Sequence, residues 1–297
     1  FQLPAERGHQ QRPPRIPDPE KGKSGGTTGK PLTTYFFIMR NILLHCLFSL
    51  NAMALLAQQP SATVDVIQYR FSVSLSDESD TIHGEAVIRV KILKKTSFLV
   101  IDLANLKKDG KGMAVNSVTS SRVLNYTHEN DRLTIADPAM IPGLIKEYVI
   151  SYRGIPADGL IIGKNKFGRR VFFADHWPQR ARQWLPCVDH PSDKAAVQFS
   201  ISAPAHYQVV ANGIQKEEST LENGMKLTHY VEDTPLPTKV MVIGVAEFAT
   251  EYAGDAQGTP VYSWVYPQER MNGFFDYSKA LDILPFFNAR IGPYGYK

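Results

Sequence analysis

Over residues 66–249 the chain is written almost entirely in period two, one short alternation of apolar and polar residues after another, with turn residues between them and no amphipathic helix. That period limits the fold more than any other feature, because successive strand side chains point to opposite faces and an alternating strand must lay one face on a core. Phe71, Val73 and Leu75 alternate with Arg70, Ser72 and Ser74; Ala86, Ile88, Val90 and Ile92 alternate with Glu85, Arg89 and Lys91, and Val87 interrupts the polar side. The series continues at residues 98–103, 132–135, 148–152, 171–174, 197–203, 207–211, 227–231 and 240–246. Asn212-Gly213 suits the two centres of a tight hairpin turn, and Asp109-Gly110-Lys111-Gly112 and Asp158-Gly159 are similar punctuation. The pattern predicts an all-β fold, an antiparallel β-sandwich or saddle over residues 62–251.

Beyond Pro260 the period changes. Residues 261–266 read as one more strand, and residues 267–270 turn the chain into a segment where Phe274, Tyr277, Leu281, Leu284 and Asn288 follow helical spacing. Asn272 is the expected cap of this helix, and Pro285 is expected to kink or end it about one turn early. A second domain is expected from residue 258 onward, with the boundary near residues 252–260. The chain begins at Phe1 and stops at Lys297 just after the helical segment, and it is expected to be a translated fragment.

The amino-terminal residues have a different character. Residues 1–38 are rich in Gln, Pro, Gly, Lys and Thr without apolar periodicity, and are expected to be a disordered or untranslated leader. Gly22-Lys23-Ser24 lacks the Gly five positions earlier, and the preceding strand, that a phosphate loop requires. Residues 39–57 have the layout of a secretory signal peptide: Met39-Arg40-Asn41, a mostly apolar run, then small residues, with cleavage open between Ala52-Met53-Ala54 and Ala57. The apolar run over 42–56 is shorter than the roughly 20 residues of a bilayer span, so no membrane span beyond the signal is expected and the protein is placed outside the cytoplasm, secreted or periplasmic. Net charge is +4, yet residues 1–57 hold seven Lys/Arg against three Asp/Glu while the remainder balances at 26 of each. A neutral folded part collects no phosphates, which excludes a nucleic-acid partner. Of the two cysteines, Cys46 lies in the signal segment, so Cys187 would have no disulfide partner.

Residues 181–195 run Ala-Arg-Gln-Trp-Leu-Pro-Cys-Val-Asp-His-Pro-Ser-Asp-Lys-Ala. Arg182 and Asp189 are seven apart with Pro186 and Pro191 fixing the path around them, a spacing that lets a guanidinium cross a carboxylate and hold an irregular connection in shape. Asp175, His176, Cys187 and His190 are metal-ligand types, and Cys187-x-x-His190 has ligand-like spacing, but the set does not make a four-ligand structural zinc site. None of the eight histidines forms H-E-x-x-H, the motif that presents two imidazoles and a general base to one zinc. No Gly-x-Ser-x-Gly elbow is present and a lone Cys has no evident base. The chain by itself is therefore expected to be catalytically inert.

The 181–195 segment resembles the A-R-x-x-x-P-C-x-D-x-P-x-x-K-A signature of zinc aminopeptidases of the aminopeptidase N type, in their amino-terminal β-domain. The likeness continues through residues 69–75, Gly84-Glu85-Ala86, residues 148–154, Val209-Val210-Ala211-Asn212-Gly213 and Thr234-Pro235-Leu236-Pro237-Thr238-Lys239, and Pro293-Tyr294-Gly295-Tyr296 resembles a P-Y-x-Y segment early in the family's catalytic domain. The resemblance implies an amino-terminal β-saddle followed by the truncated start of an α+β, thermolysin-like catalytic domain over 258–297. It implies a complete protein that is a zinc exopeptidase acting on peptides through their free amino terminus, with zinc in the complete enzyme and none bound by this fragment, since the metal ligands lie past Lys297. The family places a Gln or Glu five positions before the signature Arg, on a loop that helps bind the substrate's amino group. Here that position is Trp177, with Asp175 two residues earlier. Asp175 would accept from an ammonium, and Trp177 would wall an apolar pocket or pack beneath the loop. Two other classes compete: a secreted β-sandwich binding module without enzymatic relatives, and a scaffold of the same superfamily that has lost zinc.

Overall fold

The computed structural model describes residues 63–296, within the second of the chain's two units, Gln59–Lys297. The expected leader and signal peptide, with Cys46, lie outside the described residues. In chain order the strands are β1 (Val64–Ser74), β2 (Ile82–Ile92), β3 (Thr96–Asp102), β4 (Gly112–Thr119), β5 (Tyr126–Glu129), β6 (Arg132–Met140), β7 (Ile145–Ile155) and β8 (Leu160–Lys164). They continue with β9 (Arg170–Ala174), β10 (Lys194–Pro204), β11 (Gln208–Ala211), β12 (Ile214–Thr220), β13 (Met225–Pro237), β14 (Ile243–Ala246), β15 (Ala249–Ala256) and β16 (Thr259–Val265). Two helices close the described residues, α1 (Arg270–Tyr277) and α2 (Ala280–Arg290).

A seven-stranded sheet in the order β12-β13-β10-β1-β2-β7-β4 is the largest element, accompanied by a four-stranded sheet β11-β14-β9-β8, a three-stranded sheet β3-β6-β5 and the hairpin β15-β16. The period-two reading is sound where it is strongest. Along β2 buried and outward residues alternate, and along β10 Ala195, Val197, Phe199 and Ile201 are fully buried. Val197, Phe199 and Ile201 each contribute about 1.5–3 kcal/mol by leaving water. Tyr69, Phe71 and Phe199 form a run of stacked rings across β1 and β10, with centroids 5.3 and 5.7 Å apart.

Three features depart from the sequence reading. The sheets are not wholly antiparallel: β1 and β10 run parallel with Phe71 opposite Phe199, since β10 returns to the centre of the large sheet after a long excursion through the other sheets. Asn212-Gly213 does not close a hairpin. It carries the chain from β11 in the four-stranded sheet to β12 at the edge of the seven-stranded one. Gly213 alone takes positive φ there (89°), while the Asn212 side chain receives the Val242 amide and donates to the Val240 carbonyl. The expected single helix is two, parted at Ser278-Lys279 rather than at Pro285, which lies inside α2; Asn272 is inside α1, whose flanking residue is Glu269. Phe274, Leu281, Leu284 and Asn288 are half-buried as their spacing predicts, while Tyr277 is exposed.

Candidate functional site

The signature residues form the connection from β9 at residue 174 to β10 at residue 194, so a loop from the four-stranded sheet delivers the chain to the middle of the seven-stranded one. Such a connection has no ladder to satisfy its backbone and must be held by side chains. Arg182 does much of this. Its Nε donates to Asp189 Oδ2 (3.1 Å), one terminal nitrogen to the Asp189 carbonyl (3.0 Å) and the other to Asp102 Oδ1 (3.3 Å). Asp189 is 1% exposed, and its second oxygen accepts from the Thr238 hydroxyl at 2.8 Å. Asp102 Oδ2 in turn accepts the Asp189 amide at 3.1 Å. A buried carboxylate is tolerated where it is paired and hydrogen-bonded in this way. Pro186 is buried beside this network and Pro191 is exposed.

His176 is the second anchor. It is 1% exposed, with Nδ1 3.0 Å from the Thr238 carbonyl and Nε2 2.8 Å from the Trp184 indole nitrogen. An indole N–H only donates, so Nε2 is the acceptor and Nδ1 carries the proton that bonds Thr238. Burial holds the imidazole pKa below its usual value, in keeping with this neutral form. Both ring nitrogens are thus engaged by the protein.

Cys187 is fully buried and exchanges backbone hydrogen bonds with Asp102 (3.1 and 2.8 Å). Burial, with the Asp189 and Asp102 charges nearby, pushes its thiol pKa well up, so it stays protonated and serves neither as nucleophile nor as ligand. His190 bonds Ser192 Oγ through Nδ1 at 2.8 Å. Among the described residues no group of three or more His, Cys, Asp or Glu could hold a metal ion. The donor set for a zinc ion is not made by these residues.

At the head of the loop Asp175 is committed. One oxygen takes the Arg180 guanidinium, which also reaches Asp158 at 3.4 Å, and the other accepts the Trp177 amide at 3.2 Å. Trp177 is 64% exposed, with the Lys239 ammonium 4.8 Å from its ring centroid. The structure therefore brings Arg182 and Asp189 together, buries His176 and Cys187 in the support of the loop, and leaves Trp177 exposed together with Pro178 and Gln179. Asp102, Thr238 and Lys239 escaped sequence reasoning as site residues. Lys239 stands in the Thr234–Lys239 run already singled out, but Asp102 lies 80 residues from Arg182 and no local pattern signals the contact.

Comparison with known proteins follows the same lines. Residues 66–240 match the peptidase M1 N-terminal domain. The chain is 26% identical over 119 residues to glutamyl aminopeptidase of Rattus norvegicus, an alignment covering 40% of this chain and 13% of that protein. It is 22% identical over 246 residues to aminopeptidase N of Acetobacter pasteurianus, covering 80% of this chain and 67% of that protein. Among solved structures, the M1 zinc metallopeptidase from Deinococcus radiodurans superposes with a TM-score of 0.63 at 22% identity, over 78% of this chain and 54% of that one. A mutant of the same enzyme bound to a Tyr-Ser-Ala substrate superposes with a TM-score of 0.62. At that identity the likeness of structure speaks for the fold. The chain spans about half the length of the Deinococcus enzyme and a smaller share of the rat protein. With more than half of its residues matched by one family, this chain belongs to the family of the peptidase M1 N-terminal domain.

Proposed function

We propose that this chain is the amino-terminal part of a secreted or periplasmic zinc-dependent aminopeptidase, in which the β-domain caps the active site and Trp177 contacts the first residue of a peptide substrate. The observation that carries this is the exposed Trp177 on a loop anchored by His176, by the Asp175–Arg180 pair and by the Arg182–Asp189 pair. A rigid aromatic presented this way offers contact area at low ordering cost. Asp175 is a weaker candidate for the substrate ammonium than its type suggests, because Arg180 and the Trp177 amide already occupy its oxygens. Zinc and the residues that activate water are properties of the complete enzyme, and no residue described here supplies them.

The test is to express the complete reading frame and follow release of an aminoacyl reporter with and without a zinc chelator. Chelator-sensitive release is expected, with Trp177→Ala lowering kcat/KM about tenfold on a bulky first residue, the loss of one aromatic contact of about 1.4 kcal/mol. A folded protein that releases nothing would favour the binding module or the scaffold without zinc.

A further inference from the structure

An open groove of about 630 Å³ is lined among others by Lys194, Asn212, Glu232, Lys239, Tyr294 and Tyr296, and Lys239 links it to the Trp177 ring. It joins parts of the molecule remote in sequence: the first residue of β10, the β11–β12 turn, the end of β13 and the segment after α2. Pairing of Lys194 with Pro237 across β10 and β13 brings Lys194 close to Lys239. The Thr234 hydroxyl donates to the Gly295 carbonyl at 3.2 Å and holds the two tyrosines at the opposite wall.

The charges of this groove are unevenly disposed. Glu232 is 1% exposed, and one of its carboxylate oxygens accepts the Thr234 amide at 2.7 Å. Among the described residues neither Lys194, which is exposed, nor Lys239 forms an ion pair, and the Lys239 ammonium lies over the Trp177 ring. What sets Lys194 and Lys239 apart from the other lysines is their shared position at the rim of this groove. Two unpaired ammoniums at the rim of a concave, partly aromatic surface form a site for a carboxylate presented on a chain that can lie along tyrosine rings.

We infer that this groove is a subsite for an acidic side chain of a peptide, with Lys194 and Lys239 receiving the carboxylate and Lys239 linking the subsite to the Trp177 platform. This rests on the function proposed above in taking the ligand to be a peptide substrate. An exposed ion pair is worth little, so two partly exposed lysines set a preference of about three- to tenfold rather than an absolute requirement.

Two tetrapeptides, Ala-Ala-Glu-Ala and Ala-Ala-Gln-Ala, both with amidated carboxyl ends, are titrated into the chain by calorimetry at low salt. The Glu peptide is expected to bind about three- to tenfold tighter. The ratio is expected to fall toward one at high salt, and again in the Lys194→Gln/Lys239→Gln double variant. Lys194→Gln alone, remote from Trp177 packing, is expected to remove part of it. Equal affinity of the two peptides, no binding of either, or a ratio unchanged in both variants overturns the subsite. The reporter assay of the complete reading frame separates the two proposals. A Glu preference without chelator-sensitive release leaves the subsite standing and removes the aminopeptidase reading; release without a Glu preference does the reverse.

Discussion

Arg182 ties three segments with one planar head: its own loop through Asp189, the end of β3 through Asp102, and, by way of Asp189, Thr238. A single ammonium cannot reproduce that fork. Arg182→Ala strands the buried Asp189 carboxylate and is expected to cost about 3 kcal/mol, with Arg182→Lys recovering less than half; urea midpoints of the three proteins decide it. Asp193 gives a pH signature. Burial and the Asp65 charge push its pKa up to about 6 against an unfolded value of about 3.9, although the Val66 amide donates to it. A folded pKa above the unfolded one means that its contribution is full below about pH 4 and is lost as pH rises through about 6. Asp193→Asn keeps an acceptor for Val66 and is expected to melt higher than the parent at pH 7, with a flatter dependence of Tm between about pH 4 and 6. Parallel Tm curves would refute this. At this scale the sequence shows partners seven residues apart, such as Arg182 and Asp189, and hides Asp102, because nothing in a chain records which distant strand end will pack against a loop.

The β11–β12 turn shows what an element can and cannot disclose. Asn-Gly prefers positive φ whichever way the chain goes next, so the dipeptide marks a turn without saying whether the following strand stays in the same sheet. Here it does not, and the cost of changing the turn is set by the new neighbour. A Cβ on Gly213 would lie 2.1 Å from the Val231 carbonyl oxygen, at a φ of 89°. Gly213→Ala is therefore expected to lose about 2–4 kcal/mol by chemical denaturation, and a loss within about 0.5 kcal/mol would show the crossing to be pliable. β12 was illegible for a related reason: residues 214–218 include Gln215, Lys216, Glu217 and Glu218 on an outer strand, exposed on both faces, so no apolar period exists to be seen. Charged edge strands of this kind also discourage pairing with other chains. The split of the expected helix into α1 and α2 likewise follows the β15–β16 hairpin beneath. The Gly254 position lies close to Leu281 and the Gly273 position to Val265.

Taken whole, the described residues have a well-buried β core and a helical end that is at most half-buried. Neither α1 nor α2 contains a buried residue, and Met271, Phe275, Phe286 and Ile291 are between 55% and 84% exposed. Exposed apolar surface of this sort, with 26 acidic and 26 basic residues beyond residue 57, favours association. The chain is expected to self-associate as its concentration rises, and Phe275→Ser/Phe286→Ser to reduce both sedimentation of oligomers and binding of an apolar dye. A parent chain that sediments as a monomer throughout would show that these faces are not sticky.

The sequence by itself determined the β class, the strong strands, the signature loop and the likeness to M1 aminopeptidases, because strand periodicity and loop-bound motifs are local properties that a chain carries in its order of residues. Tertiary structure alone decided that β1 and β10 run parallel, that Asn212-Gly213 crosses between sheets, that His176 and Cys187 are buried supports, and that Lys194 and Lys239 line one groove. Those outcomes depend on contacts between residues tens of positions apart, whose free energy exists only once both partners have been brought to the same place.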